Sequence, residues 1–234
     1  MSDNSSILVI PDLHFPYVHC DFLDFLTAIK KKYKPTRIIS LGDEVDGHSW
    51  SFHQASAELD SPSRELDKAI GYIYSLGKLF PKIDLMESNH GSLFIRKIQA
   101  NHLPKKILKS YRDILNAPKN WRWYNRLVIT LPNKTKCMFV HSLGANVLQV
   151  SQQLGMNVVE GHHHSQFEIR YHYNGDVLLF GLVSACLIDD ESIAYNYNKL
   201  TVKRPIMGVS MIIDSIPILI PMRLNKNKRW NGEL

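Results

Sequence analysis

The stretch Ile38-Ile39-Ser40-Leu41-Gly42-Asp43-Glu44-Val45-Asp46 constrains this chain more than any other. An apolar run halts at a glycine, and carboxylates follow at once. A buried strand that ends this way delivers polar side chains to the rim of a sheet. The arrangement recurs along the chain. Residues 7–10 run into Asp12 and His14, and residues 83–86 into Asn89 and His90. Residues 137–140 run into His141, and residues 157–159 into His162 and His164. β-like runs that each end in oxygen or imidazole donors call for a fold in which strand ends converge.

The pattern between those runs indicates the fold. Residues 21–32 space Phe22, Phe25, Leu26 and Ile29 as a helix does, with Asp21 at the N-cap and Pro35 beyond the end. With strands at 7–10 and 37–41 this makes a β-α-β unit, and hence a parallel pair. Ser61-Pro62 opens a second helix with proline at the first helical position. Its apolar positions are Leu66, Ile70, Ile73 and Leu76, and it runs to Gly77. Residues 47–60 read as a loop over the site, and residues 92–115 as helix in two pieces broken near Pro104. The back half is rich in hairpins: 127–131 with 136–140, 167–173 with 177–181 around Asn174-Gly175, and 207–213 with 216–223. A short helix over 147–154 is closed by Gly155. This order fits an α/β fold, a four-layer αββα sandwich with two mixed β-sheets and the site at strand ends.

Composition narrows the class. At 234 residues, one domain over 1–234 is expected, with a core large enough to need no staples. Apolar residues at 44% and charged residues at 21% are ordinary for a globular chain. The net charge of +6 reads either as solvated lysines or as attraction to a polyanion. Cys20, Cys137 and Cys186 lack metal-type spacing and imply no disulfide framework, as in a reducing compartment. No basic region precedes the first apolar run, and no window is long enough to span a bilayer. A cytoplasmic protein with no membrane segment is the expectation. Nothing in the sequence sets the oligomeric state. Lys226-Asn227-Lys228-Arg229-Trp230 reads as an exposed basic tail.

The candidate ligands are Asp12, His14, Asp43, Asn89, His141, His162 and His164. Oxygen and imidazole donors without a thiolate suit a pair of divalent ions, Mn first, with Fe, Zn or Ni also compatible. Asp43, at the end of a central strand, is the natural bridge, and Asn89 adds a neutral carbonyl oxygen. A two-metal site activates water and clamps both oxygens of an in-line displacement, so it suits hydrolysis of phosphate esters or amides. Each motif alone is weak, because Asp-x-His arises by chance and a lone histidine is usually a satisfied core residue. Their order and shared strand-end placement carry the argument.

The set resembles the calcineurin-like metallophosphoesterase superfamily, whose motifs run Asp-x-His, Gly-Asp-x-x-Asp, Gly-Asn-His-acid, a lone His, and Gly-His-x-His. Here they stand as Asp12-Leu13-His14, Gly42-Asp43-Glu44-Val45-Asp46, Ser88-Asn89-His90-Gly91, His141 and Gly161-His162-His163-His164. The resemblance implies one metal at Asp12, His14, Asp43 and His164, and another at Asp43, Asn89, His141 and His162. It implies His90 as the catalytic histidine, stabilising or protonating the leaving oxygen, and Asp46 as the group that orients it. Two positions depart from the pattern. Ser88 stands for the glycine, and Gly91 for the acid that helps to fix the local geometry. Gly47-His48 replaces the Asp-Arg-Gly continuation of protein Ser/Thr phosphatases, which counts against that activity.

The expected function is hydrolysis of a phosphate ester by direct attack of a metal-bridging hydroxide. A small phosphomonoester such as a nucleotide is the first substrate class, with Arg96 as the phosphate-binding cation and His48 lining the pocket. His53, His163, Trp50 and Phe52 are further pocket candidates, for which packing is an equal reading. The alternative is a phosphodiesterase or nuclease, favoured by Arg96, Lys97, Lys105, Lys106, Lys109 and Arg112. A non-catalytic, metal-bound scaffold is the third class.

Overall fold

The computed structural model describes residues 5–52, 59–104, 106, 109–189, 191–192 and 204–234. His53 and Lys105 lie outside the described residues. Two mixed sheets pack face to face. The first has the order β11-β10-β1-β2-β3-β4, formed by Ile216–Pro221, Gly208–Ile213, Ser6–Ile10, Arg37–Ser40, Asp84–Met86 and Arg122–Tyr124. The second has the order β5-β6-β7-β9-β8, formed by Leu127–Thr130, Lys136–Val140, Asn157–Glu160, Leu178–Ser184 and Phe167–Tyr173.

Strand alternation divides the core. In β1, Ile7 and Val9 face the second sheet, where they meet Phe139, Val159, Phe180 and Leu182. Leu8 and Ile10 face the other way, into a cluster with Phe25, Leu26, Ile29, Ala69 and Ile73. Those residues come from α1 (Phe22–Tyr33) and α2 (Pro62–Leu79), which cover the outer face of the first sheet. On the far side α5 (Val147–Leu154) packs Val147 against Val158 and Val183. The layers are therefore helix, sheet, sheet, helix, as the sequence led us to expect.

The parallel pairs position the site. β1, β2 and β3 are adjacent and parallel, so their C-terminal ends share one rim. β6 and β7 are adjacent and parallel in the facing sheet. The segments after all five strands carry the candidate ligands.

Several local expectations needed revision. Residues 92–115 hold helix in two pieces, as expected, but the pieces are short: α3 (Leu93–Ala100) and α4 (Tyr111–Ile114). β4 was not anticipated, because Trp121-Arg122-Trp123 shows no alternation; Trp121 is fully buried while Arg122 is exposed. The buried stripe of α2 runs through Glu65, Ala69, Ile73 and Leu76, leaving Leu66 and Ile70 half-buried. Glu65 is drawn inward because its carboxylate accepts the backbone N–H groups of His48 (3.0 Å) and Ser49 (2.9 Å). Asp21 does precede α1, but its carboxylate makes no cap. It accepts from Arg229 Nε (2.8 Å) and Trp230 N–H (2.9 Å) instead. The basic C-terminal segment is thus docked on α1, with Trp230 against Phe25.

Candidate metal centre

The loops after β1 and β2 are laced together before any ligand is considered. His14 N–H and Leu13 N–H both donate to Asp43 O, at 2.8 and 3.1 Å, and Asp46 N–H donates to Phe15 O at 3.0 Å. The lacing requires unusual backbone. His14, Asp43 and His162 all have positive φ, at 49°, 46° and 66°. Such conformations cost energy in non-glycine residues and concentrate where surrounding structure enforces them, as at ligand sites. Two glycines are obligatory beside them. Gly42 has φ 99°, and a Cβ there would stand 2.7 Å from Ser88 Cβ and 2.8 Å from Met86 O. A Cβ on Gly161 would stand 2.5 Å from the Asp12 carboxylate.

The candidate ligands converge in two groups that share Asp43. Asp12, His14, Asp43 and His164 form one, and Asp43, His141 and His162 the other; within each, the donor atoms lie within 4.8 Å of one another. Asp43 Oδ2 is 3.5 Å from His14 Nε2 and 3.3 Å from His141 Nε2. Asn89 Oδ1 is 2.6 Å from His141 Nε2, which brings the amide oxygen to the second group. Asp12 Oδ2 accepts from His164 Nε2 at 3.0 Å and from His162 N–H at 2.7 Å.

These donors fit divalent ions. Two ligands each about 2.1 Å from one ion stand roughly 3.0–3.5 Å apart, the range of the Asp43–His14, Asp43–His141 and Asp12–His164 pairs. Asp12 Oδ1 is buried yet accepts no hydrogen bond, which a buried carboxylate oxygen rarely tolerates without a cation. The histidine rings are also preset. His141 Nδ1 donates to Leu41 O (2.9 Å) and His14 Nδ1 to Asp46 Oδ1 (2.6 Å), leaving Nε2 of each for a metal. Two other groupings occur among the described residues: His14, Asp46 and His90, which are joined by the hydrogen bond from His14 to Asp46, and His19, Cys20 and Asp21, which make no such case. There His19 is bonded at both nitrogens, to Asp21 N–H and Lys228 O, and Asp21 is bonded to Arg229.

Electrostatics follow from burial and pairing. Burial alone would raise Asp43, but the hydrogen bond from His141 and the nearby His14, His141 and His90 outweigh it. Its carboxyl is held well below the usual carboxylate range. Burial acts downward on His141, yet the hydrogen bond and charge of Asp43 push it up to about 9. Glu44 is different. Burial pushes it up to about 7, and its Oε1 accepts from Trp123 Nε1 (2.8 Å), away from both groups.

The remaining candidates sit around this centre. His90 N–H donates to Asp43 Oδ1 (3.1 Å), and its Nδ1 donates to the backbone carbonyl of Asp46. The Asp46 carboxylate is 3.8 Å from His90 Nδ1, so its closer contact is with His14. His48 is half-buried, with Nδ1 4.0 Å from Asp46 Oδ2. Arg96 Nη2 donates to Asn89 O (2.6 Å), which ties the guanidinium to the loop after β3. Arg96 and Lys97 also lie against the exposed Phe52 ring. Trp50 is stacked on Phe94 and serves packing. His163 donates from Nε2 to Gly144 O and takes no place in either group.

Sequence reasoning overlooked the supporting carboxylates Glu65 and Glu160. Glu160 is fully buried behind the His162 loop, where its Oε2 accepts from Leu143 N–H (3.0 Å). Its only sequence signal was an acid inside an apolar strand, directly before Gly161.

Comparison with known proteins bears on the fold. No family model and no curated protein matches the chain. Among solved structures, Vps29 from Chaetomium thermophilum matches with a TM-score of 0.50 at 12% identity, over 98% of this chain and 94% of its own. YfcE, described as a phosphoesterase from E. coli, matches with a TM-score of 0.51 at 10% identity, over 96% of this chain and 95% of its own. The αββα sandwich with its strand-end rim is the metallophosphoesterase fold, and this chain has that fold.

Proposed function

We propose that the protein is a dinuclear-metal-dependent phosphoesterase. The observation that carries this reading is the pair of donor groups meeting at Asp43, with His90 hydrogen-bonded to the same carboxylate. Two divalent ions, when bound, would supply an activated water and neutralise charge on the phosphate. The chain's own residues do the rest. Asp12, His14, Asp43 and His164 would hold one ion, and Asp43, Asn89, His141 and His162 the other. His90, anchored at Nδ1 by the Asp46 carbonyl, presents Nε2 for a proton to the leaving oxygen. Arg96 stands next to the Asn89 loop as the side-chain cation for a non-bridging phosphate oxygen, and His48 stands beside Asp46. No side-chain nucleophile takes part, so one displacement should invert phosphorus; retention would count against the scheme.

The first substrate class is a small phosphomonoester such as a nucleotide. The second reading, a phosphodiesterase or nuclease, is favoured by one observation. Arg96 and Lys97 flank an exposed aromatic ring at the edge of the site, a combination that suits a nucleic-acid strand. Incubation with Mn and para-nitrophenyl phosphate, its bis-ester, nucleoside monophosphates and single-stranded DNA separates the readings. Monoester turnover alone supports the first, and bis-ester plus DNA turnover the second. Silence on all four, with metal bound, points to a non-catalytic scaffold.

A further inference from the structure

We propose that Ser88 is a positioning residue, whose hydroxyl fixes the Asn89–His90 turn against Asp43. The inference rests on the phosphoesterase reading for its catalytic consequence, but not for its geometry. Ser88 Oγ accepts two backbone hydrogen bonds, from Asp43 N–H at 3.0 Å and from Gly91 N–H at 3.1 Å. The first crosses from the β3 loop to the β2 loop. The second closes the turn that contains Asn89 and His90. That turn is helical in its bonding, since Ser92 N–H donates to Ser88 O (3.1 Å) and Leu93 N–H to His90 O (2.9 Å). Ser88 therefore acts as the N-cap of a helical turn, accepting from the third residue on.

The residue nominally at the N-cap of α3, Ser92, makes no such bond, and its hydroxyl donates to Asn89 O (2.9 Å). Capping thus occurs one turn earlier, at the residue preceding the metal-ligand candidate Asn89. His90 N–H returns the link by donating to Asp43 Oδ1 (3.1 Å). Asp43 and the turn hold each other through a side-chain bond in each direction, the logic of a capping box applied between two loops.

Gly91 belongs to the same device. A Cβ there would sit 3.1 Å from Ser88 Oγ and 3.6 Å from the Tyr111 ring, crowding the acceptor. The serine and the glycine, the two departures from the motif pattern, are therefore one substitution in physical terms. A hydroxyl from position 88 fastens the turn, and the absence of a side chain at 91 leaves it room.

The test compares Ser88→Ala and Ser88→Thr with the parent protein, each loaded with Mn. Amide exchange at Asp43 and Gly91 is the primary readout and needs no turnover. In the alanine variant both amides should exchange faster, by roughly 2- to 30-fold, the size of a lost N-cap. Metal content should hold, Tm should fall by no more than about 1–8 °C, and the threonine variant, which keeps the acceptor, should recover protection. On phosphate esters the alanine variant should lose kcat by a similar factor with KM unchanged, most for poor leaving groups, which lean on His90. Unchanged exchange in the alanine variant overturns the inference. So does loss of metal or fold there, which would make Ser88 merely structural, or a threonine variant as unprotected as the alanine. If the parent protein turns over no ester, the proposed activity fails while the exchange arm still decides the role of Ser88.

Discussion

Asp46 shows how one residue can serve two histidines with different atoms. Its carboxylate accepts from His14 Nδ1, and its backbone carbonyl from His90 Nδ1. Only the first contact depends on the side chain. Asp46→Ala should therefore weaken metal binding by roughly 10- to 100-fold through His14, the usual effect of removing a ligand's outer partner. His90→Ala should leave metal content intact and lower kcat by roughly 10²–10⁴-fold. Elemental analysis alongside kinetics distinguishes them; if Asp46→Ala keeps full metal affinity but loses kcat, the carboxylate works through His90 instead. Asp43→Asn should reduce occupancy of both metals together, because Asp43 alone belongs to both groups. Away from the site, Asp21 is held at about 2, first by the hydrogen bonds of Arg229. A depressed carboxyl stabilises the fold above its unfolded pKa and loses that contribution as pH falls through the folded value. The Tm of the parent protein should drop between about pH 4 and pH 2, and Arg229→Ala should remove that part of the slope. Parallel pH profiles for the two proteins would exclude the pair as the cause.

At the scale of elements, the site depends on two sheets keeping register across a shared apolar interior. Ile7, Val9, Ile39 and Leu41 face Phe139, Val159 and Leu182, and the loops with the candidate ligands leave the ends of these strands, β9 excepted. Phe139→Ala should cost about 3–5 kcal/mol, measured by denaturant unfolding. It should also lower metal affinity, since His141 lies two residues on. Stability loss with metal affinity unchanged would show that the loops are held by their own lacing. Much of this was legible in the sequence, for physical reasons. A strand that ends in a candidate ligand carries its apolar run and its donor side by side, so β1, β2, β6 and β7 announced themselves. Gly155 and Asn174-Gly175 sit where only certain backbone conformations are open, so α5 and the β8–β9 hairpin were also plain. What stayed hidden depends on contacts distant in sequence. Arg122–Tyr124 becomes a strand by pairing with β3, and Glu65 turns inward to reach the backbone of His48 and Ser49. Arg229 docks on Asp21 across more than two hundred residues of chain. The candidate ligands were readable as a list, but the split role of Asp46 and the cap made by Ser88 needed atoms in space.

For the molecule as a whole, net charge separates the two substrate classes. A charge of +6 attracts any phosphate, but the ionic-strength dependence differs with the number of phosphates engaged. Arg96, Lys97, Lys106, Lys109 and Arg112 follow one another in sequence from α3 to α4, and Lys109 and Arg112 line clefts that Gly91 also lines. If a single strand runs along them with about three phosphates neutralised, log affinity should fall with log salt at a slope of roughly −2. Raising salt from about 50 to 200 mM would then raise KM roughly 15-fold for an oligonucleotide. A nucleoside monophosphate places one phosphate at the metals, so its KM should change by only a small factor over the same range. Lys109→Ala lies outside the proposed ligand set and should flatten the oligonucleotide slope while leaving monoester kcat alone. Steep salt dependence that Lys109→Ala relieves would favour the nucleic-acid reading. A flat profile for both substrates, with the nucleotide turned over, would leave the basic segment as a solvated face and the small phosphomonoester as the substrate class.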